Sequence, residues 1–484
     1  MRSFIYSAIL SLFLVIPNVD AVANICNCGK EFLWIKNTFE KNDAGFDFVL
    51  KRKSRSAYET HSLDIAKRAD SITNVNECKE LILEWLKFFR KGHFGVTTTV
   101  GEDQRSSSAI LDSGLIAKQE RIEIDERLFL DKVNNEHMPS PLGVWESSPY
   151  RIAIVSTEDG YAGVVLDAPN TKWGKGQVKL KLFRDGDVYK ADIWMGNFSL
   201  NANRNVEFLG NNIIKIDGFA FFHRKSKNFE DSPETERYLR SIYPPNPYYE
   251  KLSDSTAYLR IPSFAMDQKR KIDSLLIRYD AEIKESSNLI IDLRNNGGGS
   301  DASYQNLLSY LYTNPIRTVG VEIFSTELNN KYFSDLASDT LFDKEQRLEF
   351  KDTYEKLNSN LGKFVRIQNE PVSVLTRDTV FSNLQQVSIL INEFNASSTE
   401  QFLLAAKQSK KVKLYGRTTY GALDISNMNS ARSPSGIFEI WYCISRSLRL
   451  PNMPIDDIGI QPDFYLDPTI QQKDWVSFVI DTIH

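Results

Sequence analysis

From about residue 29 to residue 92 the apolar positions recur every third or fourth residue, as in Leu81, Ile82, Trp85, Leu86 and Phe89, while charges fill the other face. That period belongs to amphipathic helices and predicts a small helical region. Between about Pro141 and Phe222 the period changes to two. Tyr150, Ile152 and Ile154 are separated by Arg151 and Ala153, and Val178, Leu180 and Leu182 by Lys179 and Lys181. Asp159-Gly160, Asp185-Gly186 and Asp217-Gly218 fall between such runs, where Asp-Gly suits the left-handed backbone of a tight hairpin, so antiparallel β structure is expected. Tyr243-Pro244-Pro245-Asn246-Pro247 interrupts every regular element, because proline fixes φ and removes a donor, and it marks a linker. Beyond it, buried strands are expected at Ala257–Ile261, Leu289–Leu293 and Val387–Ile391, and helices at Ser300–Tyr312, Leu341–Leu361 and Ser397–Lys407. Strands alternating with helices indicate an α/β fold.

The first residues bear on destination. Arg2 precedes an apolar stretch from Ile5 to Ile16, a polar break and the small-residue run Asp20-Ala21-Val22-Ala23, the order of a secretory signal. An exported chain, periplasmic or extracellular, is expected, with an uncleaved anchor as the alternative. The expected divisions are a signal peptide at 1–23, a helical region at 24–105, an inserted β-rich domain at 106–245 and a core at 251–484. Cysteines stand at 26, 28, 78 and 443, too few for a disulfide scaffold and without zinc-site spacing. Export permits Cys78 to bond with Cys26 or Cys28, and the pattern leaves that choice open. At 484 residues and 42% hydrophobic the chain can bury two or three cores, and 59 basic against 63 acidic residues advertise no nucleic-acid or anionic-membrane partner.

Four short places concentrate chemistry. Ile290-Ile291-Asp292-Leu293-Arg294-Asn295-Asn296 runs from a buried strand into Gly297-Gly298-Gly299, a turn that can present N–H groups to an anion. It lacks the Lys-Ser/Thr or spaced glycines of a phosphate loop. Asn395-Ala396-Ser397-Ser398-Thr399-Glu400 opens a helix. Ser397 and Glu400 have capping-box spacing, so the residue is expected to cap; a serine there also sits beside unpaired N–H groups that stabilise an oxyanion. Gly92-His93-Phe94-Gly95 contains one of only five histidines, and Pro454-Ile455-Asp456-Asp457-Ile458-Gly459 sets two carboxylates before a glycine turn.

Taken in order, Asp292-Leu293-Arg294 with the three glycines, the Ser397-x-x-Glu400 helix start, Gly416-Arg417-Thr418-Thr419-Tyr420-Gly421 and Gly459-Ile460-Gln461-Pro462-Asp463 resemble the tail-specific or C-terminal processing serine peptidases. The resemblance covers about residues 251–470 and implies a crotonase-like ββα spiral core. In the branch that uses a Ser-Lys dyad the base follows the position of Gly421. Here that site is Ala422, and no lysine lies between Lys413 and Lys473. The other branch, similar to the tricorn core, draws a histidine from before the inserted domain and an acidic residue just before the Gly-x-x-Pro-Asp turn, positions matched by His93 and Asp456. That pattern carries a serine before the histidine, where this chain has Gly92. The family often inserts a PDZ module; the insert here is hairpin-rich and carries Trp145, Trp173 and Trp194, with no clear carboxylate-binding loop.

A serine hydroxyl is weakly nucleophilic at neutral pH and needs a base, which needs a group to fix its tautomer. The expected roles are Ser397 as nucleophile, His93 as general acid/base and Asp456 as orienter, with Asp457 as the other choice. The oxyanion hole would combine the Ser398 N–H with that of Gly298 or Gly299. No cofactor is required, and the expected partner is a polypeptide substrate. A catalytically silent peptide- or glycan-binding protein, and ester cleavage by the same triad, are the alternatives. Arg417 and Asp424 are expected to pin the loop rather than line the site.

Overall fold

The computed structural model describes residues 25–99, 118–218, 220–242 and 244–483. The leader expected at 1–23 and Tyr243 of the linker lie outside them. Among the described residues no helix is long and apolar enough to cross a membrane. These residues form two compact units, one within 1–101 and 428–443, the other within 102–427 and 444–484.

The first unit is built on four helices, α1 (Cys28–Asn42), α2 (Phe46–Lys53), α3 (Arg55–Ala69) and α4 (Val75–Leu86). Asn27 and Asn74 cap α1 and α4 by accepting from backbone N–H groups of the first turn. Val75, Cys78, Leu81, Ile82, Trp85 and Leu86 form the buried stripe of α4, and Trp85 meets Phe32, Phe39 and Phe89 edge-on. Cys28 and Cys78 are bonded, tying α1 to α4, and Cys26 remains a buried thiol. The unit is not helical throughout. β1 (Gly95–Thr98) pairs antiparallel with Phe438–Trp441, a partner from far downstream that local periodicity cannot announce.

The second unit contains a barrel and an open sheet. Strands β2 (Gly143–Ser147), β3 (Tyr150–Thr157), β4 (Gly160–Asp167), β5 (Val178–Asp185), β6 (Val188–Trp194), β7 (Leu200–Leu209), β8 (Ile213–Ile216) and β9 (Ala220–Arg224) pair antiparallel in succession, and β9 returns to β2 to close the barrel. The three Asp-Gly turns lie where the pattern put them, with Gly160, Gly186 and Gly218 at positive φ. Trp145, Ile152, Leu180, Leu182 and Phe222 fill the interior.

The open sheet comprises β10 (Tyr248–Lys251), β11 (Thr256–Arg260), β12 (Asn288–Asp292), then, after the antiparallel pairs formed by β13 (Ile316–Val319) with β16 (Val372–Leu375) and β14 (Val321–Phe324) with β15 (Phe364–Val365), β17 (Gln386–Ile391), β18 (Val412–Gly416) and β19 (Phe464–Tyr465). Its order is β10-β11-β12-β17-β18-β19, with β11, β12, β17 and β18 mutually parallel. Both faces are covered. Phe402, Leu403 and Ala406 pack on one with Leu289 and Ile291; Trp475, Val476 and Val479 pack on the other with Ile290 and Leu390. Strands buried on two sides need apolar residues at every position, which is why these read as continuous runs.

Two helix expectations change. Ser300–Tyr312 is not one helix but a 3-10 turn at Asp301–Ser303 and a single turn at Leu308–Leu311. Its apolar spacing serves packing instead, with Tyr304 against Phe264 and Phe402. The helix at Leu341–Leu361 shortens to Lys344–Asn358, started by an Asp343/Gln346 capping box. A further helix, Glu327–Ser338, precedes it; its buried face includes Asn329 and Asn330, which hides it from an apolar count.

Candidate active site

The parallel strands end side by side, and asparagines sew the ends together. Beyond β12 the Asn295 N–H donates to Asn392 Oδ1 (2.9 Å), and Asn392 Nδ2 returns a bond to Asn295 Oδ1 (2.8 Å). Asn395 Nδ2 donates to the carbonyls of Leu293 and Asn296. Asp292, fully buried, accepts from Arg294 and from the Tyr258 hydroxyl. Burial alone would raise its carboxyl, yet the charges of Arg294 and Arg260 prevail and hold it below the usual range.

Gly298 has φ 101°, and a β-carbon there would lie 2.8 Å from Ser397 Cβ and 2.9 Å from Ser398 N, so only glycine lets the two turns touch. The Gly298 N–H is committed to Asn296 Oδ1 at 3.0 Å. Of the two glycine donors considered for an oxyanion, Gly299 is therefore the one without a protein acceptor among the described residues. The Ser398 N–H is likewise unclaimed there, and the Ser398 hydroxyl donates to the Gly299 carbonyl at 3.0 Å.

Ser397 overturns the capping expectation. It is the N-cap of Ser398–Ala406, but its side chain makes no cap bond, and its backbone stands at φ 55°, ψ −126°. Such a conformation costs a residue with a β-carbon about 1–3 kcal/mol and persists where neighbouring bonds over-determine it. Those bonds are Ser397 N–H to the Ala422 carbonyl (2.9 Å) and Gln401 N–H to the Ser397 carbonyl (3.0 Å). Glu400, whose spacing suggested the other half of a capping box, points elsewhere. Its carboxylate accepts from Thr419 Oγ1 (2.5 Å), Gly421 N (2.8 Å) and Ala422 N (2.9 Å). Glu400 thus holds the 419–422 loop, and that loop holds Ser397.

The acidic turn interlocks with the same loop. Asp456 is buried and accepts from the N–H groups of Leu423 (2.6 Å), Asp424 (2.6 Å) and Ile425 (3.1 Å). Asp424 reciprocates, accepting from Ile455 N (2.5 Å), Asp456 N (2.9 Å) and Arg449 Nη2 (3.0 Å). Burial, then the nearby Asp424 charge, push Asp456 up to about 6 against the pull of its three N–H bonds. Asp457 is half-buried at φ 68°, and its N–H donates to the Gly421 carbonyl. Asp424 pins the loop as expected, and so does Arg417, which stands over the Trp475 ring near Glu393.

His93 belongs to the first unit, half-buried at φ 58°. The structure therefore draws Ser397, Ser398, Gly298, Gly299 and Asp456 into one unit and leaves His93 in the other. Pattern reading missed the asparagines and Glu400; the density of Asn at the ends of two buried strands was the available signal. No group of histidine, cysteine and carboxylate side chains able to hold a metal occurs among the described residues. Chemically, the second unit offers a hydroxyl excused from capping, the Ser398 N–H at a helix start and the Gly299 N–H in the glycine turn, the setting in which an oxyanion is stabilised.

Residues 255–466 match the model of peptidase family S41. That stretch is an S41 peptidase segment. This S41 core makes the protein a serine-type peptidase by class. Among solved structures, mature CPAF shares 13% identity over 94% of this chain and 95% of its own, with a TM-score of 0.51. Mature CPAF complexed with lactacystin shares 12%, over 94% and 97%, at 0.50. The tricorn protease shares 13% over 94% of this chain and 36% of its own, at 0.41. At such identities the likeness to CPAF is one of fold. No curated protein matches the sequence.

Proposed function

We propose that the protein is an exported serine endopeptidase that cleaves extended polypeptide through an acyl-enzyme, on a core of the crotonase-like ββα kind. The observation that carries the reading is Ser397, a helix-start serine held in a strained backbone with its hydroxyl released from capping. In this reading His93 takes the Ser397 proton as the hydroxyl attacks the scissile carbonyl, then returns it to the leaving amine. The oxyanion falls between the Ser398 and Gly299 N–H groups, each donor contributing roughly 3 kcal/mol to lowering the barrier. Asp456 is the proposed orienter of His93. Its Oδ2 accepts one N–H and retains a lone pair for the imidazole, while Asp457 is the competing carboxylate.

One observation favours a second reading, a catalytically silent peptide- or glycan-binding protein: both oxygens of Asp456 already serve the backbone. A serine-directed fluorophosphonate separates the two. Labelling of the folded full chain that disappears in Ser397→Ala and falls by orders of magnitude in His93→Ala supports the peptidase, since either loss removes on the order of a millionfold from turnover in a triad. An unlabelled wild type supports the binder. Asp456→Asn should slow labelling by up to about 10⁴ and Asp457→Asn should not, if Asp456 orients; the reverse pattern transfers the role to Asp457.

A further inference from the structure

We propose that Arg90 and Asp43, with the thiol of Cys443, are positioning residues for His93, acting through its main chain and not its ring. The proposal rests on the reading of His93 as general base. His93 lies in the left-handed region at φ 58°, where a β-carbon is disfavoured, so the conformation must be imposed from outside. Arg90 imposes it. Its Nε donates to the Gly92 carbonyl (3.1 Å) and its Nη2 to the His93 carbonyl (2.8 Å). The other side of the fork meets Asp43 twice, Nη1 to Oδ1 at 2.8 Å and Nη2 to Oδ2 at 2.6 Å. Arg90 is 4% exposed and Asp43 2%.

The thiol of Cys443 donates to the same His93 carbonyl at 3.3 Å. Cys443 is in turn fixed by Asp43: its N–H donates to Asp43 Oδ2 (3.1 Å), and the Ala44 N–H donates to the Cys443 carbonyl (2.8 Å). A third N–H, from Gly45, closes on Asp43 Oδ1 at 2.9 Å. One buried carboxylate thus anchors the turn between α1 and α2, the strand at Cys443 and, through a planar guanidinium, two successive carbonyls at Gly92 and His93. Only arginine can span a carboxylate and two carbonyls in this way, because its donors radiate from a rigid plane. Gly92 stands where the resembling peptidases carry a polar side chain, and here the main chain of that residue is gripped instead. Fixing the His93 carbonyl fixes the direction in which its Cα presents the imidazole. A displacement of about 1 Å at a reacting group costs on the order of a hundredfold in rate.

The test uses the full chain and the fluorophosphonate probe, separating the maximal labelling rate of the folded protein from the fraction that labels. Arg90→Lys keeps the charge and loses the fork. It should lower the maximal rate about 10- to 100-fold, with the half-saturating probe concentration unchanged. Ser62→Ala removes the hydroxyl that receives the Trp85 indole N–H elsewhere in the same unit and serves as the control for general loosening. If Arg90→Lys loses only labelled fraction, as Ser62→Ala should, the positioning role is overturned while the peptidase reading stands. If His93→Ala labels like wild type, the peptidase reading itself fails. Should Arg90→Lys not fold, Cys443→Ala decides, since it leaves the ion pair intact. A rate reduced about two- to fivefold at unchanged half-saturation supports the clamp, as expected for loss of one weak hydrogen bond, and an unchanged rate overturns it.

Discussion

The barrel and the loops around Ser397 bury polar groups in opposite ways. Inside the barrel Lys179 is 3% exposed, and its ammonium stands over the rings of Tyr150 and Trp173 and donates to the Trp194 carbonyl. Around Ser397, buried Asn296, Asn395, Glu400, Asp424 and Asp456 each span from one loop to another. In the barrel, alternating apolar residues define the conformation and a polar group is tolerated. In the loops no apolar pattern exists, so hydrogen bonds define the conformation and each polar group has several partners. Removing one should be far more costly in the loops.

Glu400→Ala tests the steep end. It leaves Thr419 Oγ1 and two backbone N–H groups without their acceptor, and should destabilise by about 3–5 kcal/mol in urea unfolding and abolish fluorophosphonate labelling. Glu400→Gln should cost less, because the shape and one acceptor survive.

Asp456 gives the comparison a pH axis. Its folded value of about 6 lies above the ordinary carboxylate value, so the folded state holds this proton more tightly than the unfolded one. The stability it contributes is complete below the ordinary value and is lost as pH rises through about 6. Measured against Asp456→Asn, wild type should gain up to about 3 kcal/mol between pH 7 and pH 4. A flat difference across that window would mean the three N–H bonds offset burial and the Asp424 charge, and a loss on acidification would mean they outweigh them.

Gly298→Ala probes contact without charge. A β-carbon 2.8 Å from Ser397 Cβ should cost about 1–3 kcal/mol of stability and slow labelling more than that loss explains, because the displaced turn carries the proposed nucleophile. The smallest effect belongs to the barrel. Burial pushes Lys179 down to about 7 while the rings and carbonyl favour its ammonium form. Lys179→Met should therefore lie within about 1 kcal/mol of wild type at pH 7. Because the folded value lies below the ordinary one, wild type should gain on that variant as pH rises from 7 towards 10, which thermal unfolding at pH 7 and 9.5 would show.

The same contrast explains what the chain disclosed in advance. The Asp-Gly turns, the period-two strands and the runs at Leu289–Ile291 and Val387–Ile391 were legible because one residue's burial depends on a local repeat. Closure of β9 onto β2, the pairing of β1 with Phe438–Trp441 and the choice of Cys28 for Cys78 were not, because each joins segments with no shared period. At the site, Ser397 and the glycine turn stood out by motif. The spacing of Ser397 and Glu400 misled, since Glu400 is taken by the 419–422 loop and the backbone of Ser397 stands at φ 55°, away from the usual cap geometry. Arg90 gave no signal beyond a basic residue shortly before Gly92-His93.

The pairing of β1 with a strand near the carboxyl end has a consequence in time. Neither that ladder nor the hydrogen bond from Cys443 to the His93 carbonyl can form before residues 438–443 have been synthesised. A chain that stops short of those residues lacks both restraints, so the main chain at His93 takes its final geometry late in synthesis, well after the helices that precede it.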